Sequence, residues 1–252
     1  KTTTSSPQKD LTLNQVITKS RETMAKHVGF HYHLDFAQNT NFLNAGKTSM
    51  NFDMQMTESP KSFYLKGNQV ISAKEVPTEM YMIDNTLYQH VGTSPSWMKT
   101  NSSAFEPISV SEGGPSGMIK QLDQIVTDLR NTNGKGITMK KENGFYVVTL
   151  DTTVPQNNKR SFHQLITDSW KGMQADTNTV EIRRFKKVYT IDEKTFELKS
   201  IENDSEIGIP AQGQTVTVGQ NWKISITGAL EEKIELPEEV KSQFSQKMNF
   251  SN

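Results

Sequence analysis

Cysteine is absent from all 252 residues, which excludes disulfides, thiolate zinc sites and cysteine nucleophiles and fits an exported bacterial protein. Net charge is absent too. Lys+Arg and Asp+Glu both total 28, so no overall field draws the chain to nucleic acid or to an anionic membrane, and no nucleic-acid partner is expected. No apolar run approaches the ~18 residues that a bilayer span requires, and no repeat with a period of about 20 to 50 residues stands out. Catalytic signatures are missing as well. The chain has no G-x-S-x-G elbow, no Walker-type lysine loop and no H-E-x-x-H, and the Gly-rich "SEGGPSG" follows no strand of a βαβ unit. Paired carboxylates such as Glu238 and Glu239 stand in a polar tail. These absences make the chain non-enzymatic by expectation, with no cofactor.

What the sequence does contain is alternation. After the polar "TTTSSPQKD", expected to be a flexible tether over residues 1–10, "LTLNQVITKSRETMAKH" carries Leu13, Val16, Ile17, Ser20 and Met24 at helical spacing. This predicts an amphipathic helix from about Thr12 to Lys26. At Gly29 the period changes from 3.6 to 2. Phe30, Tyr32, Leu34 and Phe36 then share one strand face, and His31, His33 and Asp35 share the other. In "MNFDMQMT" the pattern repeats, with Met50, Phe52, Met54 and Met56 on the apolar face and Asn51, Asp53 and Gln55 on the wet one.

"SFYLKGNQV" supplies a third strand, and "MYMIDNTLYQHV" reads as a hairpin turning at Asp84 and Asn85. A loop, "EPISVSEGGPSG", leads into a second helix with Met118, Leu122, Ile125 and Leu129 on one face. Asn143 and Gly144 mark another hairpin. "SFHQLITDSWKGM" has the spacing of a third helix, carrying Phe162, Leu165, Ile166, Trp170 and Met173. The last third is a meander of long strands ending in a short helix start after Pro237.

About ten or eleven strands and three helices without a βαβ rhythm predict a single α+β domain over residues 11–252. Its one large antiparallel sheet is expected to curl, so that the apolar face the helices cover becomes concave and can enclose a cavity. That face is the expected ligand site, lined by the eight apolar strand residues from Phe30 to Met56 named above. Tyr88 and Trp97 are expected to join them, with Met118, Leu122, Phe162 and Trp170 contributed by the covering helices. A hydrophobic small molecule or lipid is the partner this lining suits. The methionines fit ordinary core packing or an adaptable ligand lining, with copper the weaker idea.

Two polar groups call for a chemical reading. His31, His33 and Asp35 at alternate positions supply three nitrogen or oxygen ligands of the kind a zinc-type ion takes, but the wet face of a strand needs polar residues without any metal. The solvated reading is favoured, with metal binding as the minor alternative. In "RRFKK" the strand period sends Arg183, Phe185 and Lys187 to one face and Arg184 and Lys186 to the other. A solvated strand is expected there, not a phosphate site.

The order of elements, with "MYMIDNTLYQHV" followed by "SWMKT", then "YTIDEKTFELKS" and "IELPEEV", resembles the lipid-carrier superfamily of LolA-, LolB- and LppX-type lipoproteins. Within it, the chain looks like surface lipoproteins of Gram-positive bacteria that have no assigned activity. The resemblance implies a half-barrel lidded by helices that holds acyl chains. It also implies an N-terminal lipidated cysteine just before Lys1, hence an extracytoplasmic chain whose membrane attachment is that anchor alone. No residue matches a motif that contacts a lipoprotein-transfer partner, so a transfer role does not carry over. The competing expectation, from a different class, is a protein-interaction or envelope-sensing domain whose half-barrel is filled by its own side chains.

Overall fold

The computed structural model describes residues 10–41, 47–59, 61–71, 73–101, 114–130, 136–151, 180–211 and 213–245. The predicted helix at 161–173, with Phe162 and Trp170, lies outside them. Helix α1 (Leu13–Met24) opens on a capping box: the Gln15 N–H donates to the Thr12 hydroxyl, and the Thr12 N–H donates to the Gln15 side chain. The helix buries Val16, Ile17, Ser20 and Met24, the stripe its spacing predicts. Leu11, just before it, also packs on the core.

Five strands follow β1 (Gly29–Thr40): β2 (Lys47–Glu58), β3 (Lys61–Ile71), β4 (Lys74–Ile83), β5 (Thr86–Val91) and β6 (Met98–Asn101). After helix α2 (Gly114–Arg130) come β7 (Ile137–Glu142), β8 (Phe145–Asp151), β9 (Glu181–Asp192), β10 (Leu198–Ala211) and β11 (Gln214–Leu230), and then helix α3 (Glu238–Ser245). The eleven strands form one antiparallel sheet in the order β6-β5-β4-β3-β2-β1-β11-β10-β9-β8-β7. Each half is a meander of sequence neighbours, and the halves meet only where β1 pairs with β11. The edges β6 and β7 do not pair, so the curved sheet is an open half-barrel of the α+β class.

Two hairpin turns follow directly from residue type. Asp84 and Asn85 both have positive φ, as do Asn143 and Gly144, the backbone that a two-residue hairpin loop demands and that Asn, Asp and Gly tolerate.

Helices α1 and α2 lie over the apolar face and are tied together by an ion pair from Arg21 Nη1 to Asp123 Oδ2 at 2.6 Å. Helix α3 and the segment before it lie on the other face, where Ile234 and Leu236 join Tyr64, Tyr81, Ile83, Tyr88 and Trp97 in a second apolar cluster. A bulge adapts β11 to both faces. Tyr32 pairs with Ile226 but His31 pairs with Gly228, so Thr227 is an extra residue. Beyond it the side-chain parity is reversed, and Leu230 turns away from the covered face into the second cluster.

Candidate functional site

The covered face gathers most of the expected lining. Phe30, Tyr32, Leu34, Phe52, Met54 and Met56 are buried with Met118 and Leu122 in one core, while Phe36 and Met50 are partly buried against it. Register explains the assembly: Phe30 opposes Met56, Tyr32 opposes Met54, Leu34 opposes Phe52 and Phe36 opposes Met50. Met80, Met82, Phe63 and Leu65 continue the same layer on β3 and β4. Met56 fills the space at the start of α2 so closely that a Cβ on Gly114 would lie 2.6 Å from its sulfur. A pocket of about 100 Å³ opens between Met24 of α1, Phe30 and Ile226.

Tyr88 and Trp97 are corrected by the structure. Tyr88 pairs with Tyr81 and alternates with the inward Leu87, and both Tyr88 and Trp97 belong to the second cluster on the opposite face. There the Tyr88 ring lies 5.5 Å from that of Phe244 on α3, and the Trp97 backbone N–H donates to the Gln243 side-chain oxygen. Lys187 is a second correction. The sequence points to a solvated basic run, but Lys187 is 1% exposed on the covered face with Phe185 and Tyr189. Its ammonium is 5.0 Å from the centre of the Trp222 ring, and a cation stacked on an indole is stabilised by the ring's negative face.

The wet face forms an open groove of about 900 Å³ whose lining includes Asp35, Asn51, Asn68, Glu202 and Lys223. Several of its polar groups pair with one another. Lys223 pairs with Glu202 at 2.8 Å, and Asn51 donates to Asp35 at 2.6 Å. The groove is lined from β3 and β4 on one side to β9 on the other, so at this end the twisted sheet also bends toward its polar face.

His33 makes its side-chain contacts within the β1–β2 strand pair. His33 Nδ1 lies 2.8 Å from Asp53 Oδ1, and its Nε2 lies 3.0 Å from the Asn51 amide nitrogen and 3.4 Å from Asp35. Both ring nitrogens are thus occupied within the strand pair. Among the described residues no group of three or more His, Cys, Asp or Glu side chains is arranged to hold a metal ion.

The hydrogen bond to Asp53 raises the His33 pKa above its ordinary 6.5 against the opposing effect of desolvation, and the negative charges of Asp35 and Asp53 add to the rise. The folded pKa therefore exceeds the unfolded one. The pairing's contribution to stability is fully present below the unfolded value of 6.5 and is lost as pH rises through the folded pKa. An NMR titration of the His33 ring should place its midpoint above 6.5, and Asp53→Asn should move it down. An unshifted midpoint in that variant would remove Asp53 as the cause.

Fold and site together define a class: an α+β half-barrel with a methionine-rich apolar face under two helices and a hydrogen-bonded polar face. The chain belongs to DUF6612, a family of unknown function, which it matches over residues 12–245. No curated protein matches the sequence. Similar solved structures include the lipoprotein LppX of Mycobacterium tuberculosis, at 12% identity and a TM-score of 0.42 over 88% of this chain and 97% of that one. Another is a LolA superfamily protein of Nitrosomonas europaea, at 7% identity and a TM-score of 0.28 over 92% and 97%. No helix among the described residues is long and apolar enough to cross a membrane.

Proposed function

We propose that this protein is a non-enzymatic, extracytoplasmic binder of a hydrophobic ligand, with acyl chains held between the covered sheet face and helices α1 and α2. One observation carries the reading: Met24, Met54, Met56, Met80, Met82 and Met118 are all buried in that single layer. Methionine has three rotatable bonds and a polarizable sulfur, so a methionine layer repacks around an inserted chain at lower strain than a branched one. Each buried methylene contributes about 0.8 kcal/mol, so a chain of about twelve carbons supplies on the order of 10 kcal/mol before the cost of association. The small pocket beside Met24 gives such a chain a place to start. A sequence free of cysteine keeps no thiol for an oxidising compartment to attack.

The second reading, a protein-interaction or envelope-sensing domain, is favoured by the complete burial of Met118, Ile119 and Leu122 on the inner side of α2, as expected of a half-barrel filled by its own side chains. Native mass spectrometry of freshly purified protein, followed by solvent extraction, separates the two. The expected result is an added mass that extracts as acyl lipid. A chain at its bare mass that also fails to bind a fluorescent fatty acid would overturn lipid binding and leave the second reading.

A further inference from the structure

Helix α1, the β7–β8 hairpin and the turn from β9 to β10 meet at a cavity of about 470 Å³, within the ~300–1,000 Å³ typical of small-molecule sites. It shares no lining residue with the polar groove or with the pocket beside Met24. The turn is held by its own backbone. Asp192 Oδ1 accepts from the Lys194 and Thr195 N–H groups at 2.9 and 2.8 Å, and the Phe196 N–H donates to the Asp192 carbonyl at 3.0 Å. The Glu193 N–H donates to the Gly144 carbonyl at 3.0 Å, which clasps this turn to the neighbouring hairpin. Phe196 is thereby fixed at a φ of 61°, a left-handed backbone that a bulky residue adopts only where its surroundings impose it. Its ring stacks on that of Tyr146, with centres 6.2 Å apart and planes 14° from parallel.

Three lysines line the same cavity. Lys141, opposite Tyr146 in register, pairs with Glu193 at 3.0 Å. The Lys19 ammonium of α1 lies 4.8 Å from the centre of the Phe196 ring, and among the described residues neither Lys19 nor Lys194 is in an ion pair. With Glu193 neutralised by Lys141, the charges left to a ligand are two ammoniums and the Asp10 carboxylate. Two ammoniums at one cavity suit a phosphate, whose oxygens accept hydrogen bonds from both. The carboxylate accepts from hydroxyls, and the stacked rings are an apolar wall for the carbons between.

We infer that this cavity is a binding site for the phosphate ester of a polyol, with Lys19 and Lys194 on the phosphate, Asp10 on the hydroxyls and the Tyr146–Phe196 pair against the carbon chain. A free polyol phosphate and the head group of a glycerophospholipid share that chemistry. The site has its own cavity and residues and does not depend on the acyl-chain reading.

Calorimetry with glycerol 3-phosphate, glycerol and inorganic phosphate tests it. Glycerol 3-phosphate is expected to bind at least about tenfold more tightly than either of the others. Lys19→Gln combined with Lys194→Gln, both at exposed positions, should weaken it about tenfold or more without moving the thermal transition. Phe196→Gly, which suits the backbone of the turn, should reduce glycerol 3-phosphate to the affinity of inorganic phosphate. Equal affinity for the ester and inorganic phosphate in the unmodified protein would overturn the site, as would ester binding that survives the double lysine variant. Co-sedimentation with phosphatidylglycerol vesicles, against phosphatidylcholine vesicles as the blank, separates the two sources. Vesicle binding that the double variant loses assigns the lipid head group; binding of the free ester with no vesicle binding assigns the soluble ester. Vesicle binding that the double variant keeps, or no binding of either probe, overturns the proposal.

Discussion

Phe52→Arg is expected to abolish binding of a fluorescent fatty acid and to destabilise the fold by about 3–5 kcal/mol, whereas Asp53→Arg, one residue along, should do neither. Phe52 is 5% exposed among apolar neighbours, opposite Leu34 on one side and Gly67 on the other. Among the described residues its surroundings on that face are apolar, so a guanidinium's charge must either stay unpaired or bring water into the layer. Asp53 is on the other face with its side chain 87% exposed. Its replacement ends the contact with His33, and a surface pair of that kind contributes little. Thermal melts should show the contrast, since about 3 kcal/mol in a chain of this size lowers the transition by roughly 6–12 °C. If Asp53→Arg lost the fatty acid and Phe52→Arg kept it, the ligand would belong to the polar groove. Equal binding by both would place it on neither face.

Gly67→Val should cost about 3 kcal/mol or more without adding any charge. A Cβ built on Gly67 would lie 2.0 Å from the carbonyl oxygen of Asn51 and 2.9 Å from the Phe52 ring. The first contact is with backbone in the middle of the β2–β3 ladder, so relief requires the strands themselves to separate. Gly92 is the control, because a Cβ there meets nothing within 4 Å. Its positive φ of 69° limits the control to Gly92→Asn, as Asn tolerates that conformation. A Gly67→Val protein with the melting temperature of its parent would mean that β3 does not approach β2 this closely.

The first two strands were legible because one face is buried and the other wet: "FHYHLDF" and "NFDMQM" alternate without a break, and their burial follows the same parity. The hairpin turns were legible because few residues tolerate their backbone. β5 offered no such signal. Leu87 and Tyr88 are adjacent and both apolar, since the sheet there is covered on both sides. Which of them faces the helices depends on a C-terminal segment more than 140 residues away, and no local period encodes that. Lys187 was obscured for a different reason. Its alternation with Phe185 and Tyr189 marked the covered face, but a lysine beside Arg183, Arg184 and Lys186 looks like solvated charge until a tryptophan from β11 is brought over to receive it. Thr227, the extra residue in β11, has no sequence mark at all, yet it alone turns Leu230 to the other face.

The single seam between β1 and β11 has a consequence for biosynthesis. Strands β1 to β6 can zip together as they leave the ribosome, each pairing with the one before, but the free side of β1 finds its neighbour only when residues 214–230 emerge. Until then the nascent chain presents a twelve-residue strand edge beside Phe30, Tyr32 and Leu34, a template for any extended segment nearby. Closing that seam joins residues 29–40 to 214–230, a long-range pairing of the kind that slows folding. The same geometry makes a second copy's β11 an equally good partner, so crowded or stalled chains have a direct route to an exchanged dimer in which each half-barrel is completed by the other's last strand.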